Sequence, residues 1–237
     1  MKSAFIVTSA VQSKFGVYQP DQRLIQTLAT IQCLRERVPD CVIAVMEVSG
    51  AGLQSNYEEA LLDSADYYVD FTTNVQVQEW YKSDNWDVVK NITELNCFPQ
   101  ALLALKDQGA FRGVDRVFKM SGRYLLNEKF DYSFYETDAV KDKIVIGKSV
   151  PSHFPYYITK QSMQYMCRLL SWPVGMHEYV VESYFKAAGY MQSRLDDKGY
   201  ADIEHCLYYA FDRGRVLEIP EVGVYGAIAP NGQPIVN

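Results

Sequence analysis

The chain lacks any run approaching the ~20 apolar residues that a membrane-crossing helix needs, which excludes a transmembrane span. Its five cysteines (Cys33, Cys41, Cys97, Cys167, Cys206) show no CxxC spacing. They read as reduced core thiols of a cytoplasmic protein, not as a disulfide framework or a zinc site. Histidine is scarce: His153, His177 and His205 stand far apart, with no HExxH or His-x-His spacing, so a histidine metal centre is not expected. No G-x-G-x-x-G or Walker loop follows the first apolar run, which reads Gln12-Ser-Lys-Phe-Gly16 instead. That weighs against dinucleotide binding, phosphoryl transfer and the sugar nucleotidyltransferases, which open on a glycine-rich loop. No G-x-S-x-G elbow is present either, so a hydrolase triad has little support. Repeats, low-complexity tracts and Gly/Ser linkers are also absent, and one domain over 1–237 is expected.

The composition is that of a globular protein. Of 237 residues 48% are hydrophobic, and 23 Lys+Arg against 29 Asp+Glu give a net charge of −6, which excludes disorder as the dominant state. The acidic balance also argues against affinity built on blanketing nucleic-acid phosphates, while leaving room for a local basic pocket. The opening run Ala4–Val11 is short and passes straight into Gln12, Ser13 and Lys14, so it reads as a buried strand and not as a signal peptide.

The first half alternates between strand and helix. Strands are predicted at Ala4–Val11, Cys41–Ser49, Asp66–Phe71 and Arg116–Met120. Between them come helices from Asp21, as cap, to about Val38, over Ser55–Ala65, and over about Asn91–Gln108 with Pro99 as a break or kink. The stretch Thr72–Asp87 reads as a polar, Trp-containing loop. This order implies an α/β domain with a mostly parallel sheet and right-handed crossovers. Ligands of such sheets bind beyond the carboxyl ends of the strands, here Thr8–Lys14, Glu47–Gly52, Phe71–Asn74 and Ser121–Tyr124.

The second half reads as mixed α+β. Lys143–Gly147 and His153–Thr159 are predicted strands. Gln161–Trp172 is predicted helical because Met163, Met166, Cys167 and Leu170 recur at i, i+3, i+4 and i+7. Further helices are expected at Tyr179–Ala188 and Asp202–Phe211, then strands at Val216–Ile219 and Val222–Ile228 and a Pro230-Asn-Gly turn. Trp80, Tyr81, Trp86, Tyr156, Tyr157 and Trp172 fall in expected loops, where two or three can stack on a sugar or base.

The sharpest motif is Phe118-Lys-Met-Ser-Gly-Arg-Tyr124. Two cations four residues apart flank a turn at a strand end. Gly122 allows close backbone approach, Arg123 offers a planar fork and Lys119 a point charge, so the pair can neutralise a diphosphate. The same residues also read as an ordinary strand end with two surface cations. With Glu128 and Phe130 behind it, the motif resembles small bacterial and viral glycosyltransferases that use nucleoside-diphosphate sugars. Thr8-Ser9 closing the first strand, Glu47-Val-Ser49 closing the second, Asp202-Ile-Glu-His205 and the closing Gly226–Gly232 segment are similar to that group as well.

The resemblance implies a glycosyltransferase A-type fold, with a Rossmann-like sheet binding the nucleotide sugar in 1–130 and an acceptor-side half in 131–237. It implies donor binding by Thr8, Ser9, Glu47, Lys119, Ser121, Gly122, Arg123 and Tyr124. Glu204 and His205 would lie near the reacting sugar, one of them taking the acceptor proton, with Arg123 at the leaving group. Asp202 as helix cap, a first-turn Glu and a surface His are the structural reading of the same segment. His177, Glu178 and Glu182 are the alternative bases. Most enzymes of this type carry an Asp-x-Asp on the strand that here reads Lys-Met-Ser-Gly-Arg, and this chain has none. Those carboxylates hold a divalent metal; a Lys/Arg pair in their place implies leaving-group stabilisation with no metal cofactor. The implied partners are a nucleoside-diphosphate sugar such as a UDP-sugar and a hydroxyl acceptor. The acceptor is a surface glycan or lipopolysaccharide sugar, or a hydroxymethylated base of phage DNA. A non-catalytic nucleotide- or glycan-binding module on a degenerate sheet is the competing reading.

Overall fold

The computed structural model describes residues 1–227 and 232–236. The alternation of the first half becomes β1 (Ser3–Ser9), α1 (Pro20–Arg37), β2 (Val42–Glu47), α2 (Ser55–Ser64), β3 (Tyr67–Asp70), α3 (Val75–Trp80), α4 (Trp86–Gln108) and β4 (Arg116–Ser121). Local chemistry sets the boundaries. Pro20 opens α1, where a missing N–H costs nothing, and the Gln22 side chain accepts from the Gln19 N–H at 2.9 Å. Asp21 therefore lies inside the first turn instead of capping it. Asn85 caps α4, and Gly109 at φ 86 closes it in the left-handed conformation that glycine tolerates best. Helix α4 runs unbroken through Pro99, contrary to the expected break.

The remaining elements are β5 (Tyr124–Leu126), β6 (Ile144–Pro151), α5 (Tyr156–Thr159), β7 (Met163–Pro173), α6 (His177–Asp196), α7 (Ile203–Ala210), β8 (Val216–Ile219), β9 (Val224–Ala227) and β10 (Pro234–Val236). Seven strands form one sheet in the order β3-β2-β1-β4-β7-β6-β8. The first four are mutually parallel, β8 is parallel to β6, and β7 runs antiparallel to both β4 and β6. A small antiparallel sheet, β10-β9-β5, flanks it. Both faces of the main sheet are covered. Leu95, Phe98 and Leu102 of α4 meet Trp172 and Tyr184 on one side, while Leu34 of α1 and Leu61 of α2 cover Phe5 and Phe118 on the other. That burial explains why all seven residues of β1 are buried and why the strand reads as an almost continuous apolar run.

Three expectations change. Gln161–Trp172 is not a helix: its residues form β7, the antiparallel strand between β4 and β6. Because β7 is covered on both faces and its pairing with β6 shifts register between Ile146 and Gly147, no clean alternation survives, and the 3–4 spacing of apolar residues is accidental. His153–Thr159 is a loop ending in the one-turn α5, not a strand. The expected loop at Thr72–Asp87 holds α3 and the start of α4, since Asn74 and Asn85 both act as helix caps. The Pro230-Asn-Gly turn and Ile228 lie outside the described residues. Among those residues no helix is long and apolar enough to cross a membrane.

Candidate functional site

The parallel block places the carboxyl ends of β2, β1 and β4 side by side. Because β1 lies between β2 and β4, its edge is the switch point at which such sheets open a crevice. A cleft of about 290 Å³ lies there. Its floor is Thr8, Ser9, Met46, Val48, Ser121 and Gly122; Arg23 and Thr27 of α1 and Lys90, Thr93 and Glu94 of α4 form opposite walls. Lys14 and Phe15 from the β1–α1 loop, with Tyr81 and Trp86, edge the mouth.

The cleft is cationic although the chain is acidic. Lys14, Arg23, Lys90 and Arg123 line it, and among the described residues Glu94 is the one carboxylate on its wall. Lys119, reaching from β4, takes that carboxylate in a buried ion pair. Burial alone would raise the Glu94 carboxyl, but the Lys119 ammonium prevails and holds it below the ordinary range. Arg23 and Arg123 are close enough that burial, with the Arg123 charge added, lowers the Arg23 guanidinium to about 10. Each has an Nε that is buried and without a hydrogen-bond partner. Buried donors are nearly always satisfied, so two orphaned guanidinium donors beside one cavity mark a place for an anion. Lys14 instead donates to Tyr81 O at 3.0 Å, Ser83 O at 2.8 Å and Asp84 Oδ1 at 3.0 Å, bridging the two loops at the mouth.

Several residues expected in donor contact have other positions. Lys119 does not line the cleft: it is 5% exposed, and its charge is matched by Glu94. Glu47 is fully buried beneath the floor. Its carboxylate accepts from Val11 N at 3.1 Å, from Ser49 N at 2.9 Å and from the Ser49 hydroxyl, which fixes the turns after β1 and β2. Burial raises the Glu47 carboxyl, and these hydrogen bonds oppose the rise. Gly122 lines the cleft, but the demand for glycine comes from α1: a Cβ there would stand 2.7 Å from Thr27 Oγ1. Tyr124 is buried in β5, and its hydroxyl accepts from Arg123 Nη2 at 3.4 Å, so it props the arginine from behind. Of the loop aromatics, Tyr81 and Trp86 reach the cleft, whereas Trp172 is a core residue of β7. Tyr81 covers Gly50 so closely that a Cβ would fall 1.8 Å from its Cγ. Gly50→Ala is therefore expected to displace the Tyr81 ring and cost about 1–3 kcal/mol, the range for overpacking, read as a lower urea midpoint; an unchanged midpoint would mean that the ring moves freely.

The first turn of α7 sits on the same sheet edge, against α4. Glu204 is partly exposed there; burial first, then the charge of Asp202, raises its carboxyl to about 7, with Lys90 partly opposing and Glu94 adding to the rise. Lys90 and Glu94 are cleft residues whose charges act on Glu204, which itself does not line the cleft. His205 is wholly buried, contrary to a surface position. Ser152 Oγ gives its hydrogen to Phe154 O at 2.6 Å and accepts from Phe154 N at 3.1 Å. The same Oγ lies 2.8 Å from His205 Nε2, while His205 Nδ1 donates to Asp202 Oδ1 at 2.5 Å. His177 and Glu178 lie at the opposite sheet edge, Glu178 paired with Lys106 at 3.0 Å, and Glu182 is exposed on α6.

The donor set does not suit a divalent ion. The end of β4 carries an arginine where a metal site needs oxygen ligands, the single wall carboxylate is engaged by Lys119, and no group of three His, Cys, Asp or Glu among the described residues is arranged to hold a metal.

The seven-stranded, mostly parallel sheet with flanking helices is the architecture of glycosyltransferase A-type proteins. The crystal structure of core-mannan synthase A from Aspergillus fumigatus in its Mn/GDP form is similar at a TM-score of 0.50 and 8% identity, over 92% of this chain and 73% of that one. An active-site mutant of LgtC is similar at 0.49 and 10%, over 92% and 72%. The 4-diphosphocytidyl-2C-methyl-D-erythritol synthase of Anaerococcus prevotii is similar at 0.42 and 12%, over 92% and 86%. The likeness to core-mannan synthase A is one of fold. No protein-family model matches the chain, and no curated protein matches it in sequence.

Proposed function

We propose that the protein transfers a sugar from a nucleoside-diphosphate donor to a hydroxyl acceptor, holding the diphosphate with Arg23 and Arg123 in place of a metal ion. The observation that carries this reading is the pair of neighbouring guanidinium groups with orphaned Nε atoms on a cleft whose one wall carboxylate is already paired. Such an arrangement is costly unless an anion completes it. Thr8, Ser9 and Ser121 offer hydroxyls at the strand ends, Lys90 adds charge, and Trp86 offers a face for a base or sugar.

Glu204 is the proton acceptor in this scheme. Glu94 on the cleft wall and Glu204 outside it are carboxyls whose environments push them apart, Glu94 downward beside Lys119 and Glu204 upward by burial, and such a split separates an electrostatic group from a base poised near neutrality. The acceptor oxygen attacks the anomeric carbon as its proton passes to Glu204. The bond from that carbon to the diphosphate oxygen breaks, and the electron pair leaves with the diphosphate onto Arg23 and Arg123. A glycan hydroxyl suits the acceptor side better than a DNA base, because the net charge is −6 and cations concentrate at the donor cleft. A flat salt dependence of duplex DNA binding is the expected result; a steep slope favours a modified base in phage DNA.

Turnover is expected to persist in excess EDTA when a panel of UDP-, GDP- and dTDP-sugars is offered with simple glycan acceptors, read as release of nucleoside diphosphate. Binding of the donors without turnover under any condition would leave a sugar-nucleotide-binding module on a transferase fold.

A further inference from the structure

Glu204 is the one residue of its turn assigned to chemistry, yet the residues around it are bonded more tightly than helix capping requires. Asp202 precedes α7 and accepts from the His205 N–H at 3.1 Å, an ordinary N-cap. The same oxygen also takes the His205 Nδ1 hydrogen, and the far side of that ring reaches Ser152, 53 residues earlier in the chain. Ser152 opens the 152–162 loop, which Gln164 holds from β7 by accepting from His153 N at 2.9 Å, and which packs on α7 through Phe154 against the His205 ring. The Asn91 side chain of α4 accepts from Ile203 N at 3.1 Å and donates to Tyr200 Oη at 2.7 Å. The first turn of α7 is thus fixed from α4, from the 152–162 loop and from within.

We infer that Asp202, His205 and Ser152 form a positioning relay that fixes the turn carrying Glu204 and keeps a negative charge beside that residue, without touching the reacting atoms themselves. The inference rests on Glu204 being the base. A wholly buried imidazole paired with a partly buried carboxylate is often no more stabilising than apolar residues would be, so a role in placing a reactive neighbour accounts for the pair better. Charged and titratable groups face Glu204 from every element packed on it: Lys90 and Glu94 from α4, Cys167 from β7, Tyr184 from α6, Tyr200 before the helix, and Asp202 and Cys206 from its own segment. Within the relay, Asp202 is the charge that acts on Glu204, and it acts to favour the protonated form.

The test is a set of three variants, Asp202→Asn, His205→Gln and Ser152→Ala, with Glu204→Gln as reference, measured by steady-state kinetics and by 13C NMR titration of the Glu204 carboxyl. Asparagine caps helices as well as aspartate does, so Asp202→Asn keeps the helix while removing the charge. The expected result is a fall in kcat of tenfold or more for Asp202→Asn and His205→Gln and of severalfold for Ser152→Ala, with donor KM unchanged. In Asp202→Asn the Glu204 carboxyl titrates at lower pH than in the wild type. Wild-type kcat in both Ser152→Ala and Asp202→Asn, with the carboxyl titrating unchanged, would overturn the relay. Full activity of Glu204→Gln would instead overturn the base assignment, whatever the relay variants show.

Discussion

Arg123→Ala loses donor turnover, by about 10²- to 10³-fold in kcat/KM, the effect of removing one preorganised donor to a developing oxyanion, while its Tm stays within a few degrees of wild type. The loss is expected to be large because Arg123 stands at the end of β4 with its Nε buried and unpartnered. Its only side-chain hydrogen bond among the described residues goes to Tyr124 Oη at a long 3.4 Å, beside a stacking contact with the same ring at 5.0 Å. The cost in stability is small for the same reason. Removing one of two like charges also relieves Arg23, whose guanidinium is lowered partly by Arg123. Arg123→Lys keeps the charge but not the fork and should recover only part of the rate. Joint loss of fold and turnover would make Arg123 a structural residue.

Glu204→Gln is expected to lose about 10²-fold or more in kcat and yet become more stable at pH 8. A carboxyl raised from 4.5 to about 7 binds its proton more tightly in the folded state than in the unfolded one. Its contribution is therefore fully present below pH 4.5 and is lost as pH rises through about 7. At roughly 1.4 kcal/mol per unit the wild type forfeits on the order of 3 kcal/mol above that window. A neutral glutamine of the same shape avoids the loss, and a gain of about 1–3 kcal/mol moves Tm upward by a few degrees in a chain of this length. The difference between variant and wild type should vanish near pH 4.5. Stability falling at both pH values, or a gain independent of pH, would show that Glu204 is not held protonated by burial. Activity of the wild type should decline as pH drops below about 7, since the base then carries its proton.

Much of this site was legible in the sequence, for reasons that also explain what was not. Thr8, Ser9, Ser121, Gly122 and Arg123 lie where short buried strands end, and an α/β alternation puts strand ends together without knowledge of any contact. Arg23, Lys90, Thr93 and Glu94 come from α1 and α4, whose inward faces depend on how the helices cross the sheet; about half a turn of rotation would have pointed them elsewhere. Lys119 and Glu47 stand at the expected ends of their strands but point into packed layers, Lys119 toward Glu94 and the Phe98 ring and Glu47 toward the backbone of its own turn. A charge inside an otherwise apolar strand is the sequence signal for this, because a buried cation demands a partner. The burial of His205 had no local signal, since Ser152 approaches it from a distant loop. The strand β7 was unreadable by periodicity for the reason that central strands generally are: covered on both faces, its residues Tyr165, Cys167, Leu169, Leu170 and Trp172 show hydrophobicity without alternation.

The central claim is that guanidinium groups, and no divalent ion, hold the diphosphate. Calorimetric titration of UDP and GDP into the protein in excess EDTA, repeated with Mn²⁺ in place of the chelator, tests it most directly. The account predicts the same affinity under both conditions for the nucleotide that binds, with binding lost in Arg23→Ala and in Arg123→Ala. Binding that appears only with Mn²⁺, or that survives in both arginine variants, would contradict it.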